Sequence, residues 1–152
     1  MYMLKNQVIE RIQSYHGQLA DLYLGLYEAV EGPEMKVLLF HLHQFERDRH
    51  VYLEKHRKIA QAMNCWLRVP EDKLTAQISA CFQNIHTGPD LSMSQLIDME
   101  LHFDDCLTRL YGILCKEDEP CETVQNVFYY MLKKTREDEA SLKEMFAHLQ
   151  TH

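Results

Sequence analysis

The sequence predicts an all-α protein in which two hairpins of long helices are joined by a crossover containing a short fifth helix. Four long segments carry apolar residues at alternating spacings of four and three, the pattern of a helix with one buried face. The chain has only five Gly and four Pro, whereas a β-rich fold needs many turns. Its 152 residues, 46% of them hydrophobic, can bury the core of one domain. We therefore expect residues 1–152 to form a single up-down antiparallel four-helix bundle.

The first predicted helix runs from Lys5 to Glu31. Gly32 and Pro33 end it, and Pro33 suits the first turn of the next helix, where a missing N–H costs nothing. Its apolar residues form one unbroken seam: Val8, Ile12, Tyr15, Leu19, Leu22, Leu26 and Ala29.

The second predicted helix spans Pro33 to Met63. Its seam contains Leu38, Leu42, Phe45, Tyr52, Leu53 and Ile59. Arg49 and His56 interrupt this seam, and a polar group at such a position is costly unless it has a partner. His43 and His50 are seven residues apart and share a face, where we expect them to be solvated.

The crossover begins with a break over residues 65–70, followed by a short helix from Pro70 to about His86. Thr87–Asp90 stop that helix, and Ser92 or Ser94 is a suitable N-cap for the next one. Trp66 lies in the break, where we expect it to cap the end of the bundle; contact with a partner is the alternative.

The second hairpin consists of predicted helices from Ser92 to Lys116 and from Cys121 to Leu149. Glu100 interrupts the first seam, and Thr135, Asp138 and Glu139 interrupt the second midway. The apolar seam residues are Leu96, Phe103, Leu107, Leu110 and Leu114 in one helix, and Val124, Phe128, Met131, Leu142, Met145, Phe146 and Leu149 in the other.

The two hairpins resemble each other in sequence. A shift of 88 residues places Tyr23 on Tyr111 and His16 on Asp104. A shift of 93 places Glu46 on Glu139. Heptad seams match by default, so the paired polar positions are the informative part, and they predict a duplicated helical hairpin.

The sequences of the two hairpins resemble those of the ferritin-like superfamily, particularly its rubrerythrin-type branch. The resemblance implies the ferritin-like form of the four-helix bundle and says less about function. It covers the four long helices and leaves out the crossover. The matching stretches are Leu22–Glu28, Gly32–Glu34 and Phe45–Leu53 in the first hairpin, with Leu96–Tyr111 and Arg136–Phe146 in the second.

The resemblance implies a di-iron or di-manganese site, for which the family uses a Glu from the first and third helices and Glu-x-x-His from the other two. In this chain the first Glu corresponds to His16, seven residues before Tyr23. The third-helix Glu corresponds to Asp104, seven residues before Tyr111. The first ligand is therefore replaced and the other shortened.

The Glu-x-x-His positions correspond to Glu46-x-x-Arg49 in the second helix and Glu139-x-x-Leu142 in the fourth. Both expected His are missing, so the di-iron motif is degenerate. A guanidinium stays protonated and donates without accepting, so Arg49 cannot bind a metal.

We therefore expect a metal-free core in which Arg49 supplies the positive charge, with no cofactor. Burial of such a cluster is tolerated only when it is fully paired and hydrogen-bonded. The predicted polar core comprises Tyr23, Glu46, Arg49, Glu100, Asp104, Tyr111 and Glu139. In the alternative, one iron, manganese or zinc ion is held by His16, Glu46, Asp104 and Glu139.

The composition of the chain limits the kinds of partner and the cellular location that we expect. The formal net charge of −7 argues against nucleic acid, whose binding requires a surplus of Lys and Arg on one face. No apolar run has the length of a membrane span, and the first residues do not form a signal peptide. Five Cys without a C-x-x-C pair are typical of reduced thiols in a cytoplasmic protein.

Two functions remain open at this point. The favoured one is a non-catalytic ferritin-like protein that acts through its surface as a binding or assembly module. Tyr129 and Tyr130 lie off the seam of their helix, where they can face a second subunit, so we expect a homodimer. The other is a metal-dependent oxidase or oxidative-stress protein with an altered site.

Overall fold

A computed structural model describes residues 2–63, 66–83, 90–115 and 122–150. Within these residues the chain forms five helices and two short strands. The helices are α1 (Lys5–Ala29), α2 (Pro33–Met63), α3 (Glu71–Cys81), α4 (Met93–Cys115) and α5 (Glu122–Gln150), and the strands are β1 (Tyr2–Leu4) and β2 (Trp66–Pro70). The all-α class is confirmed. None of the described helices combines the length and the apolar character needed to cross a membrane.

The four long helices begin and end within two residues of the predicted positions. The crossover helix is shorter than predicted, because it ends at Cys81 rather than near His86. Its last turn tightens: the N–H of Phe82 donates to Ser79 O and that of Gln83 donates to Ala80 O. Bonds of this i to i−3 kind close a helix end and stop its continuation. Residues 84–89 of the predicted helix and stop lie outside the described ranges.

The predicted break before the crossover helix contains β2, which pairs antiparallel with β1. Leu4 lies opposite Trp66, and Met3 lies opposite Leu67. Strands this short contain too few residues for a readable alternation of apolar and polar side chains. β1 precedes the first hairpin and β2 follows it, so each strand depends on a partner that is distant in the sequence. The structure does not describe the side chain of Trp66, so the prediction that it caps the bundle stays a prediction.

Helices α1 and α2 lie antiparallel and are joined by hydrogen bonds from side chains to backbone, among them two from histidines. The Nδ1–H of His43 donates to Ala20 O, and that of His50 donates to Gln13 O, each at 2.8 Å. A Cβ at Gly17 would lie 3.2 Å from His50 Nδ1, so glycine allows this close approach. The expectation of solvated histidines is wrong for both residues, because each is half-buried and donates to the backbone of α1.

Side-chain contacts between the two hairpins show how α5 runs relative to α2 and how α4 runs relative to α1. Tyr52 stacks on Tyr130 at 4.1 Å between ring centroids, and Arg49 reaches Asp138 farther along α5. Numbers therefore rise along α2 as they fall along α5, so these helices are antiparallel. In the same way, Tyr23 contacts Glu100 and His16 contacts Tyr111, so α1 and α4 are antiparallel.

Buried apolar side chains from these helices form one cluster. Helix α4 begins with a reciprocal cap, in which Gln95 N–H donates to Ser92 Oγ and Ser92 N–H donates to Gln95 Oε1. This capping box satisfies two backbone donors at the helix start. Ser92 is thus the cap, rather than Ser94. The prediction of a single domain over 1–152 stays a prediction.

Candidate functional site

Midway along the long helices the apolar core gives way to a cluster of buried polar side chains. They come from all four long helices and are almost fully shielded from solvent. We call this cluster the polar centre: His16, Tyr23, Glu46, Arg49, Glu100, Asp104, Tyr111 and Asp138. Buried charge of this kind persists only when each group has a partner.

Arg49 connects the polar centre. Its side chain is 1% exposed, and Nη1 donates to Glu46 Oε1 at 2.7 Å. Nε and Nη2 both donate to Asp138 Oδ2, at 3.2 and 3.0 Å. Nη1 also lies 3.5 Å from Asp104 Oδ1. Burial alone would lower the pKa of Arg49, but Glu46, Asp104 and Asp138 outweigh burial and raise it, so the guanidinium stays charged.

One chain of hydrogen bonds leads from Tyr111 through His16 to Glu46. His16 Nδ1 lies 2.5 Å from Glu46 Oε2, and His16 Nε2 lies 2.7 Å from the hydroxyl of Tyr111. Burial would raise the pKa of Glu46, but Arg49 and His16 hold it below its ordinary value. The Glu46 carboxylate can then only accept, so His16 donates from Nδ1–H.

The protonation of His16 follows from its surroundings. Burial lowers the pKa of His16, and the opposing attraction to Glu46 does not offset this. The neutral ring therefore carries its proton on Nδ1 and accepts at Nε2 from the Tyr111 O–H. Burial raises the pKa of Tyr111 well above its ordinary value, so that hydroxyl keeps its proton.

A second chain leads from Tyr23 through Glu100 to Asp104. The Tyr23 hydroxyl donates to Glu100 Oε2. Burial, followed by the charge of Asp104, raises the pKa of Glu100 well above its ordinary value, which favours its neutral form. Neither Asp104 oxygen accepts a hydrogen bond from a fixed donor. The contact between Glu100 and Asp104 becomes a hydrogen bond when one of the two carries a proton.

These protonation states balance the buried charge. Burial raises the pKa of Asp104 to about 7, although Arg49 opposes the rise. Lys134 reaches the second oxygen of Asp138 at 3.0 Å from the edge of the cluster. Arg49 and Lys134 thus neutralise Glu46 and Asp138. The pair formed by Glu100 and Asp104 approaches neutrality by binding protons.

The same carboxylates offer a possible metal site. Oxygen atoms of Glu46, Glu100 and Asp104 lie within 4.8 Å of one another. Both Glu46 oxygens and both His16 ring nitrogens already have hydrogen-bond partners. A metal ion would have to compete with Arg49 for Glu46 and with protons for the other two. The residues present therefore fit a metal poorly in this arrangement.

The structure places seven of the eight predicted site residues in the polar centre and Glu139 at its edge. The Glu139 side chain is 23% exposed and pairs with Lys143 at 3.0 Å. Its neighbour Asp138 supplies the carboxylate from α5. The apolar seam already indicated Asp138, because Met131, Thr135, Asp138 and Leu142 continue the 4-3-4 spacing. Aligning the family motif on Glu139 obscured that signal.

The chain matches no family model, no curated protein and no solved structure. The resemblance to ferritin-like proteins therefore stays a prediction that rests on the residues described above.

Replacing Arg49 should lower the stability of the protein more than replacing an exposed arginine of the same helix. Arg49→Met leaves buried carboxylates uncompensated, so we expect the free energy of unfolding to fall by about 3–5 kcal/mol. Arg47→Met should change it by less than about 0.5 kcal/mol, since Arg47 is exposed. Urea denaturation measures both. Equal losses in the two variants would contradict a charge-compensating role for Arg49.

The carboxyl pair should make stability fall as pH rises. The pKa of Asp104 is about 7 in the folded state and 3.8 ordinarily, so between these values the folded state binds more protons. Stability from this group is complete below pH 3.8 and is lost as pH rises through 7. Integrated from pH 6 to 8, the loss is about 1.4 kcal/mol.

The double variant Glu100→Gln/Asp104→Asn should lack this loss, because neither amide titrates. The double variant Asp98→Asn/Asp105→Asn, at exposed positions of the same helix, should keep it. Denaturation curves at pH 6, 7 and 8 provide the comparison. The assignment fails if the buried and the exposed double variants show the same pH dependence as the wild type.

Proposed function

We propose that this chain is a non-catalytic, ferritin-like protein in which Arg49 replaces the metal ions of the family's buried site. The observation that carries the proposal is the buried Arg49 guanidinium, which donates to Glu46 and Asp138 and lies beside Asp104. A fixed cation at this point supplies the charge compensation that metals provide in a di-iron centre. It cannot act as a ligand or change oxidation state.

The helix order supports the ferritin-like part of the proposal. Helices α1 and α2 form an antiparallel hairpin, and α4 packs against α5. Across the hairpins, α1 is antiparallel to α4 and α2 is antiparallel to α5. The connection between α2 and α4, which contains α3, must therefore return along the length of the helices. A returning connection of this kind is what the one-crossover, ferritin-like arrangement requires, so it supports this part of the proposal.

The role we propose is a surface one, binding or assembly, with a homodimer as the first candidate. Five large apolar side chains of α2 and α5 remain 44–55% exposed. Val37, Phe40 and Val51 follow one another by 3 and 11 residues, so they share the outer face of α2. Tyr129 and Tyr130 lie on α5, and exposed apolar patches of this kind mark interaction surfaces.

Two further parts of the proposal rest on composition. A formal charge of −7 disfavours nucleic acid as the partner. Cys81 and Cys106 are free thiols, which agrees with a cytoplasmic protein that keeps its thiols reduced.

The second candidate is a metal-dependent oxidase or oxidative-stress protein with an altered site. One observation favours it: oxygen atoms of Glu46, Glu100 and Asp104 converge within 4.8 Å, and Asp104 accepts no hydrogen bond from a fixed donor. Iron, manganese or zinc could use these oxygens if Arg49 withdrew from Glu46. Metal binding separates the two candidates.

Metal titration tests the choice between Arg49 and a metal. Protein stripped with a chelator, incubated with Fe²⁺, Mn²⁺ or Zn²⁺ and desalted, should retain well below one ion per chain by elemental mass spectrometry. We expect this because Arg49 is paired with Glu46, and protons compete with the metal for the other two carboxyl groups. A stoichiometry of one or two ions per chain would overturn the metal-free proposal and favour the oxidase.

A designed variant serves as the positive control. Arg49→His removes the buried cation and recreates Glu-x-x-His at the position where the resemblance expects it. We expect this variant to retain more metal than the wild type under the same conditions. Arg47→His, at an exposed position of the same helix, should retain no more than the wild type.

Self-association tests the surface role. Tyr129→Glu places a charge on the exposed aromatic pair of α5 and should shift a wild-type dimer to monomer in sedimentation velocity, since a buried unpaired charge opposes association. Gln18→Glu adds the same charge at an exposed position of α1 and should leave the dimer intact. A monomeric wild type at tens of micromolar would remove the homodimer from the proposal.

A further inference from the structure

Two cysteines meet where the crossover helix packs against α4. Cys81 is the last residue of α3, and Cys106 lies in the middle of α4. Both line one small cavity, together with Tyr15, Ile78, Leu107 and Leu110. The cavity measures about 10 Å³, the lower limit for a single water. The two thiols therefore border one cavity that has no space for a ligand larger than water.

The two thiols differ in their access to solvent. Cys81 is buried, and its thiol donates to Gln77 O at 3.3 Å. Burial, and then hydrogen bonding with Cys106, raise the pKa of Cys81 to about 12. Cys106 is only partly buried, so a small oxidant reaches Cys106 first.

His102 connects the two cysteines. Its Nε2 lies 3.1 Å from the carbonyl oxygen of Cys81 and 4.0 Å from Cys106 Sγ. Because a carbonyl only accepts, Nε2 carries a proton and donates it to Cys81 O. The same ring nitrogen lies beside the Cys106 sulfur. The Arg109 guanidinium adds a positive charge that opposes the rise in the pKa of Cys81.

We infer that Cys81 and Cys106 form an oxidisable thiol pair that a peroxide converts into a disulfide between α3 and α4. The Cys106 thiolate attacks one oxygen of hydrogen peroxide, which breaks the O–O bond, gives Cys106 sulfenic acid and, after protonation, releases water. The Cys81 sulfur then attacks the sulfenic sulfur and releases a second water. Two thiols are oxidised, one peroxide is reduced, and two waters form.

The proposed bond has a structural consequence and is independent of the polar centre. It would connect the crossover helix covalently to the second hairpin, closing a loop over residues 81–106. Such a bond restricts the unfolded chain and should stabilise the folded one. The inference depends neither on Arg49 nor on the presence of a metal, so its outcome does not alter the proposed function.

Peptide mapping after oxidation tests the inference on the full chain. Reduced protein is treated with hydrogen peroxide, blocked with an alkylating reagent and digested without reduction. We expect a linked pair of peptides containing Cys81 and Cys106 as the dominant disulfide, with the protein still monomeric or dimeric as before. The oxidised protein should melt about 5–10 °C higher than the reduced one.

The variant Cys106→Ser is the matched control. It should form no disulfide at Cys81 under the same treatment, and its melting temperature should not depend on oxidant. Two outcomes would overturn the inference: Cys106 oxidised or alkylated in the wild type with no link to Cys81, or a dominant disulfide that joins either residue to another cysteine.

Discussion

The pairing of the Arg49 guanidinium with carboxylates from three helices sets the conditions that the rest of the core must meet. A charge with 1% exposure would be expelled from an apolar interior unless its donors were satisfied. Glu46 lies one turn before it on the same helix, and Asp138 meets it from α5. Because these partners come from different hairpins, the helices must hold their relative positions for the cation to remain buried. Specific ion pairing of this kind favours one arrangement of the helices over shifted ones.

Two tyrosines extend this pairing in opposite directions. Tyr111 of α4 donates to His16 of α1, and Tyr23 of α1 donates to Glu100 of α4. The two tyrosines occupy equivalent positions in the sequence repeat, and each crosses to the opposite hairpin. Their partners are not equivalent, since His16 corresponds to Asp104 and Glu100 corresponds to Ile12. One series of hydrogen bonds therefore ends on an imidazole bound to a carboxylate, and the other ends on two neighbouring acids whose pKa values are both raised.

Periodicity in the sequence predicted the long helices well, because an amphipathic seam depends on local spacing alone. It failed for β1 and β2, whose pairing joins residues more than 60 positions apart and leaves no local pattern. The motif alignment placed Glu139 in the core, whereas spacing favoured Asp138. The spacing was the better guide because the direction of a side chain follows from the helix geometry, while a motif match assumes unchanged ligands. The partners of His43 and His50 could not be predicted from either signal, since backbone carbonyls of α1 bind them.

Guanidinium, proton and metal are three ways to neutralise the same buried carboxylates, and they differ in how they respond to pH. Arg49 and Lys134 compensate Glu46 and Asp138 at any pH near neutrality. Glu100 and Asp104 rely on protons, and the proton of Asp104 leaves as pH rises through about 7. A divalent metal can enter only by displacing those protons and by separating Arg49 from Glu46, so any affinity for metal must increase as the protons leave. The conditions that remove these protons are therefore the ones in which a metal would compete best, and they are where the two candidate functions differ most.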